Sequence, residues 1–145
     1  MTLDDLNNFS KNSFVENLGI RFTAFDEGSI TGQIDITGFH LQPWGYVHGG
    51  VYMALAETMA GAGSAILVEK QGKVALGTNI NSQHIATAGP GRITATGELI
   101  HRGIYKHIWD IKITDDTGKL ISISRVTNSI KEKENPHEPG MISDE

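Results

Sequence analysis

The sequence predicts an α+β fold, with one long buried helix and five to six antiparallel strands. Three observations predict it. Residues 50–69 are apolar nearly all the way round a helix and are rich in alanine and glycine. Several later stretches switch to a period of two. These strands follow the helix in a run, without further helices between them, which argues against a parallel βαβ arrangement.

At the N-terminus, Thr2 followed by Asp4 and Asp5 predicts a capped helix start with acids in the first turn. Leu3, Leu6 and Phe9 recur at three-residue spacing and give a short amphipathic helix. Phe14, Leu18 and Ile20 follow, interrupted at Gly19. Ile30, Gly32, Ile34 and Ile36 then alternate with Thr31, Gln33 and Asp35, the pattern of a half-buried strand. Residues 37–50 hold Pro43, Gly45, Gly49 and Gly50 and read as turns.

The helix over 50–69 spans about 30 Å. Ala54, Ala56, Ala60, Gly61, Ala62, Gly63, Ser64 and Ala65 make it thin, so other elements pack closely on several sides. Runs at 74–86, 92–102, 105–115 and 118–130 predict four strands. Ile93, Ala95, Gly97 and Leu99 alternate, as do His107, Trp109, Ile111 and Ile113. Asp115 to Gly118 reads as a hairpin turn, and Gly89-Pro90-Gly91 as another. Trp44 and Trp109 are expected to pack. The charged stretch 131–145 is expected to be a disordered tail, leaving 1–130 as a single domain.

A chain of 145 residues suits one domain. Hydrophobic residues at 39% and charged residues at 20% exclude a wholly disordered chain. The absence of cysteine excludes a disulfide framework, a thiolate metal site and a cysteine nucleophile. A net charge of −5 argues against nucleic acid as a partner. The first residues lack a basic, apolar leader, so a cytoplasmic location is expected. Residues 51–68 resemble a membrane span, but a central carboxylate such as Glu57 costs roughly 2.5–3.5 kcal/mol there. The segment therefore reads as a buried helix, with no membrane insertion expected. No pair of histidines with an accompanying Glu has metalloprotease spacing, and no Gly-x-Ser-x-Gly elbow occurs. No metal and no cofactor are expected.

Glu57 carries the most chemical information. No Lys or Arg stands three or four residues away on the helix to pair with it. A carboxylate on an apolar face is costly to bury and marks a candidate functional position. His48-Gly49-Gly50 stands where the helix begins. The free N–H groups of a first turn suit developing negative charge, and glycine permits close approach of a ligand. Gly49 and Glu57 are eight residues apart, about 12 Å along the axis. Both meet one carbonyl only if the helix bends or if two subunits contribute.

Gln42-Pro43-Trp44-Gly45, then Val47-His48-Gly49-Gly50 and Glu57, resembles the signature of hotdog-fold acyl-CoA thioesterases. The nearest branch is the aryl-CoA group that includes the 4-hydroxybenzoyl-CoA, 1,4-dihydroxy-2-naphthoyl-CoA and phenylacetyl-CoA enzymes. Gly77-Thr78-Asn79-Ile80-Asn81-Ser82-Gln83-His84 is similar to that family's third-strand motif, and His101-Arg102-Gly103 to its fourth-strand end. The likeness covers residues 14–130. It implies a long helix wrapped by a curved antiparallel sheet. It also implies a dimer or tetramer with composite sites at the interface.

By that resemblance Glu57 is the nucleophile or general base, and Gly49 supplies the N–H that polarises the thioester carbonyl. Gln42 and His48 position carbonyl and water, while His84 and Gly50 contact substrate. Family members often carry Ser or Thr one turn after the catalytic Glu. Here that position is Gly61, which leaves room in the acyl pocket, and Ser64 is a candidate substitute. The expected partner is an acyl-CoA or acyl-carrier thioester, with coenzyme A entering only as part of the substrate. Rival readings are a hydroxyacyl or enoyl thioester (de)hydratase and a non-catalytic acyl-CoA-binding module. Arg92, Arg102, Lys106 and Arg125 are candidates for holding the phosphates of CoA.

Overall fold

The computed structural model describes residues 1–134. One six-stranded antiparallel sheet has the order β1-β2-β4-β5-β6-β3. Its strands are β1 (Arg21–Asp26), β2 (Ser29–Asp35), β3 (Lys73–His84), β4 (Arg92–Arg102), β5 (Lys106–Thr114) and β6 (Leu120–Glu132). The sheet packs against α3 (Gly49–Val68), while α1 (Leu3–Phe9) and α2 (Phe14–Asn17) precede β1.

The α1 start follows the sequence signal. Thr2 Oγ1 accepts the Asp5 N–H at 3.1 Å, and the Asp5 carboxylate accepts the Thr2 N–H at 2.8 Å. Leu6 is buried in the core and Leu3 packs against it, whereas Phe9 is 84% exposed, so the expected apolar stripe reaches the core through its first two residues. β1 was not anticipated as a strand. A bulge between Phe22 and Ala24 breaks its pairing with β2, and with it the alternation that would mark Arg21–Asp26.

The thin helix expected over 50–69 runs from Gly49 to Val68, and its fit to the sheet is close. A Cβ on Gly63 would lie 2.6 Å from the Trp109 ring, and one on Gly32 would lie 2.6 Å from Met59. Leu55, Ala56, Met59 and Ala60 are fully buried beneath Ile34, Ile93, Ala95, Trp109 and Val126. This helix is long and apolar enough to cross a membrane by length and composition, but it sits in the core of the fold. Trp109 packs as expected, whereas Trp44 is 80% exposed in the loop before α3.

The hairpin turn at 115–118 is also present. Asp115 Oδ1 accepts the Thr117 and Lys119 N–H groups, and Gly118 takes a φ of +81°. At the C-terminal end, Lys131 and Glu132 extend β6 opposite Val74 and Lys73, so they belong to the sheet and not to a tail. Lys133 and Glu134 follow the strand, and residues 135–145 of the expected tail lie outside the described residues. Among the described residues β3 hydrogen-bonds only to β6 and forms one edge of the sheet, and most of its residues are exposed.

Candidate active site

The loop that leads into α3 is held from below by His40, which is buried. Its Nδ1 accepts the Thr37 N–H at 3.0 Å, and its Nε2–H donates to the Leu18 carbonyl at 2.6 Å. The His40 carbonyl in turn accepts the His48 N–H at 2.9 Å. Between them, Gln42 Oε1 accepts the N–H groups of Trp44 (2.5 Å) and Tyr46 (3.4 Å). The Gln42 oxygen is thus spent on its own loop, and the free end of the amide is its pair of N–H donors.

The helix start is similarly partitioned. The Gly50 N–H donates to His48 Nδ1 at 2.8 Å, and the Val51 N–H donates to the His48 carbonyl at 2.9 Å. The Gly49 N–H has no acceptor among the described residues. It is therefore the unspent donor of the first turn, where the helix dipole also favours negative charge. Because His48 Nδ1 accepts, its neutral ring carries the proton on Nε2.

His84, at the end of β3, packs against that same turn. A Cβ on Gly49 would lie 3.1 Å from His84 Cδ2 and Nε2. His84 Nδ1 is 2.9 Å from Ser122 Oγ, and that hydroxyl donates to the Gln83 carbonyl. By donor counting His84 carries its proton on Nδ1 and presents Nε2 as an acceptor. Gly49, His48, Gly50 and His84 are thus brought together.

Glu57 is not with them. It lies two turns further along α3 and is exposed, not buried as its apolar neighbours suggest. Its carboxylate reaches over β3 at Gly77, where a Cβ would collide with Glu57 Oε1. It has no ion pair among the described residues. Gly61, the next turn, is half-buried, and nothing lies within 4 Å of the place its Cβ would take. One chain therefore presents two separate groups of candidate residues about 12 Å apart along the helix. One group holds an amide donor with two histidines. The other holds a carboxylate beside open space.

Residues 45–122 match the thioesterase superfamily. The chain belongs to that superfamily. A 1,4-dihydroxy-2-naphthoyl-CoA hydrolase from Listeria monocytogenes is 42% identical over 81% of this chain and 95% of its own. A thioesterase structure from Pseudomonas aeruginosa has a TM-score of 0.86 at 35% identity, covering 90% of this chain and 94% of the other. One from Haemophilus influenzae reaches 0.88, also at 35% identity, covering 94% and 95%. The protein is a thioesterase with the hotdog arrangement, its curved sheet holding one long helix.

Ser64 of this thioesterase lies elsewhere than expected. It is fully buried, where its hydroxyl meets Trp109 Nε1 at 2.8 Å, Asn128 Nδ2 at 3.0 Å and His107 Nδ1 at 2.9 Å. Asn128 also donates to the Ala60 carbonyl at 3.0 Å, which fixes the orientation of its amide. Two donors already fill the acceptor sites of Ser64, so its own proton goes to His107 Nδ1. The hydroxyl is committed to joining α3 to β5 and β6 and has no capacity left for substrate. Sequence reading missed this cluster and missed Gly77. The alternation of His107 with Trp109 was visible, but nothing local paired them with Ser64. His107 is buried beside Arg102 and His101, and burial, reinforced by those positive neighbours, holds its pKa below the ordinary 6.5.

Proposed function

We propose that this thioesterase hydrolyses an acyl-CoA, releasing the free acid and CoA, at composite sites across a homodimer. The observation that carries the proposal is the division of one chain's candidate residues into two groups on either side of an unpaired β3 edge. An antiparallel pairing of two β3 edges about Ile80 and Asn81 sets Gly77 of one chain opposite His84 of the partner subunit. It thereby brings Glu57 to the helix start of the second subunit. The thioester carbonyl then accepts from the Gly49 N–H of the partner subunit, with the Gln42 amide as a further donor. Such preorganised donors act on the oxyanion, each typically worth about 2.7–4 kcal/mol.

Glu57 attacks the carbonyl directly or activates a water, and the thiolate leaves without needing a strong acid. His48 and His84 supply a donor and an acceptor to hold that water. Gly61 leaves space beside the carboxylate for the acyl group. The Listeria relative supports including aromatic acyl groups among the candidates. A cytoplasmic location fits a CoA substrate.

The test is a panel of acyl-CoAs, including 1,4-dihydroxy-2-naphthoyl-CoA, with thiol release followed by a thiol reagent. The wild type releases thiol from at least one member, and Glu57→Ala lowers that rate by about 10²–10⁴-fold, the usual range for a lost general base. Glu57→Ala within tenfold of wild type would remove Glu57 from the chemistry. Loss of enoyl absorbance without thiol release would favour the (de)hydratase reading.

A further inference from the structure

A cavity of about 320 Å³ lies toward the edge of the sheet away from β3, between the N-terminal helices and β1–β2. Lys11, Glu16, Ile20, Arg21, Gln33 and Asp35 line it, and none of Gln42, His48, Gly49, Glu57 or His84 does. The geometry points to a second ligand site here, one that takes a small organic molecule through its carboxylate.

Gln33 is the buried polar member of the lining, only 8% exposed. The nearby Asn7 amide is fully used by the backbone of Leu3 and Phe22, whereas the Gln33 amide has no hydrogen-bond partner among the described residues. Among those residues Asn128 Oδ1 is the one unpaired side-chain polar atom that is wholly enclosed. The Gln33 amide, unpaired but not enclosed, therefore opens into the cavity it lines. Buried polar groups are normally paired, and leaving one without a partner is costly. This amide is free to pair with a group from outside the chain.

The rim selects the sign of that group. Arg21 stands directly opposite Gln33 in the β1–β2 register, so the two share one face of the sheet. Neither Arg21 nor Lys11 has a carboxylate within ion-pair distance among the described residues. The two acids of the lining are already engaged. Glu16 Oε2 accepts the Asn12 N–H, and Asp35 Oδ1 accepts from Arg92 Nε at 2.8 Å. The unspent donors are thus an amide, a guanidinium and an ammonium, which suit an oxyanion, and the arginine fork matches a carboxylate with two parallel bonds. Glu16 and Asp35 also limit the charge, because they repel a phosphate dianion more than a carboxylate monoanion. Ile20 offers an apolar wall to the rest of the molecule.

The test uses benzoate, a monoanion with an apolar body, on the full chain. The Gln33 side-chain amide is followed by NMR while sodium benzoate or inorganic phosphate is added at constant ionic strength. Benzoate shifts the amide saturably, and phosphate does not. Arg21→Ala and Lys11→Ala, both at exposed positions, each weaken the benzoate Kd, Arg21→Ala by about tenfold or more, the scale of lost charged hydrogen bonds. Glu57→Ala keeps the wild-type Kd, since Glu57 is not in the cavity. A Gln33 amide that does not shift, or a Kd that Arg21→Ala leaves unchanged, would overturn the inference. An equal response to phosphate would overturn the carboxylate assignment. Loss of the shift in Glu57→Ala would place the benzoate at the catalytic residues and overturn the second site.

Discussion

Two glycines, Gly63 within α3 and Gly77 on β3, show how the same substitution has opposite consequences. Gly77 on β3 leaves space for the Glu57 carboxylate, and a Cβ there meets only the far end of a flexible side chain. Gly77→Ala therefore changes stability within about 0.5 kcal/mol, as exposed substitutions do, while displacing the carboxylate and lowering turnover. Gly63 meets the Trp109 ring, which is itself walled in by the core. Gly63→Ala costs about 1–3 kcal/mol through overpacking. Urea unfolding and thiol-release rates on both variants check the contrast, and equal stability losses would contradict it.

Glu57 was legible as the lone acid of an apolar helix, but its exposure was not. Periodicity places a residue on a face without saying whether that face meets the core, solvent or a second chain. The cluster around Ser64 was illegible for a different reason. Its partners lie 43 to 64 residues away in sequence, so no local spacing signals them.

For α3 as an element, the cluster of Ser64, His107, Trp109 and Asn128 holds the helix against β5 and β6, and its protonation state matters to stability. The folded pKa of His107 is depressed, so the unfolded chain binds more protons once the pH falls below about the ordinary 6.5. Stability from this residue is fully present above that pH and declines as the pH falls toward the folded value. Asp35, Asp110 and Asp115 also have lowered pKa values, from Arg92, Arg125 and Thr117 respectively, but their contribution declines only below about 3.8. Unfolding free energy therefore begins to drop as the pH falls below about 6.5, and by NMR His107 is still mostly neutral at the pH where an ordinary imidazole is half protonated. A His107 that titrates at 6.5 with flat stability would contradict this.

On the same helix, Gly61 has no neighbour for its Cβ to meet. Gly61→Leu should lower kcat/KM for bulky acyl-CoAs more than for short ones, because the difference arises in transition-state binding. Melting temperature should stay near wild type. A large stability loss with an unchanged long-to-short ratio would make Gly61 a packing residue. The long helix and the later strands were legible because their patterns are long and regular. β1 was not, because six residues interrupted by a bulge carry too little alternation.

At the scale of the whole molecule, the exposed β3 edge and the separation of Gly49 from Glu57 are the two observations that support the proposed homodimer. In the sequence the resemblance implies a dimer or tetramer, while spacing alone leaves the helix-bend alternative open. α3 runs as an uninterrupted α-helix from Gly49 to Val68, with no break between Gly49 and Glu57. The most direct measurement is complementation between two inactive variants. Glu57→Ala and Gln42→Ala chains, co-expressed with different tags, are isolated as the heterodimer. If each site draws Glu57 from one subunit and Gln42 from the other, one of the two sites is fully wild type, and the heterodimer recovers about half the wild-type rate. If each site lies within one chain, both sites carry a defect and the heterodimer stays as inactive as its parents.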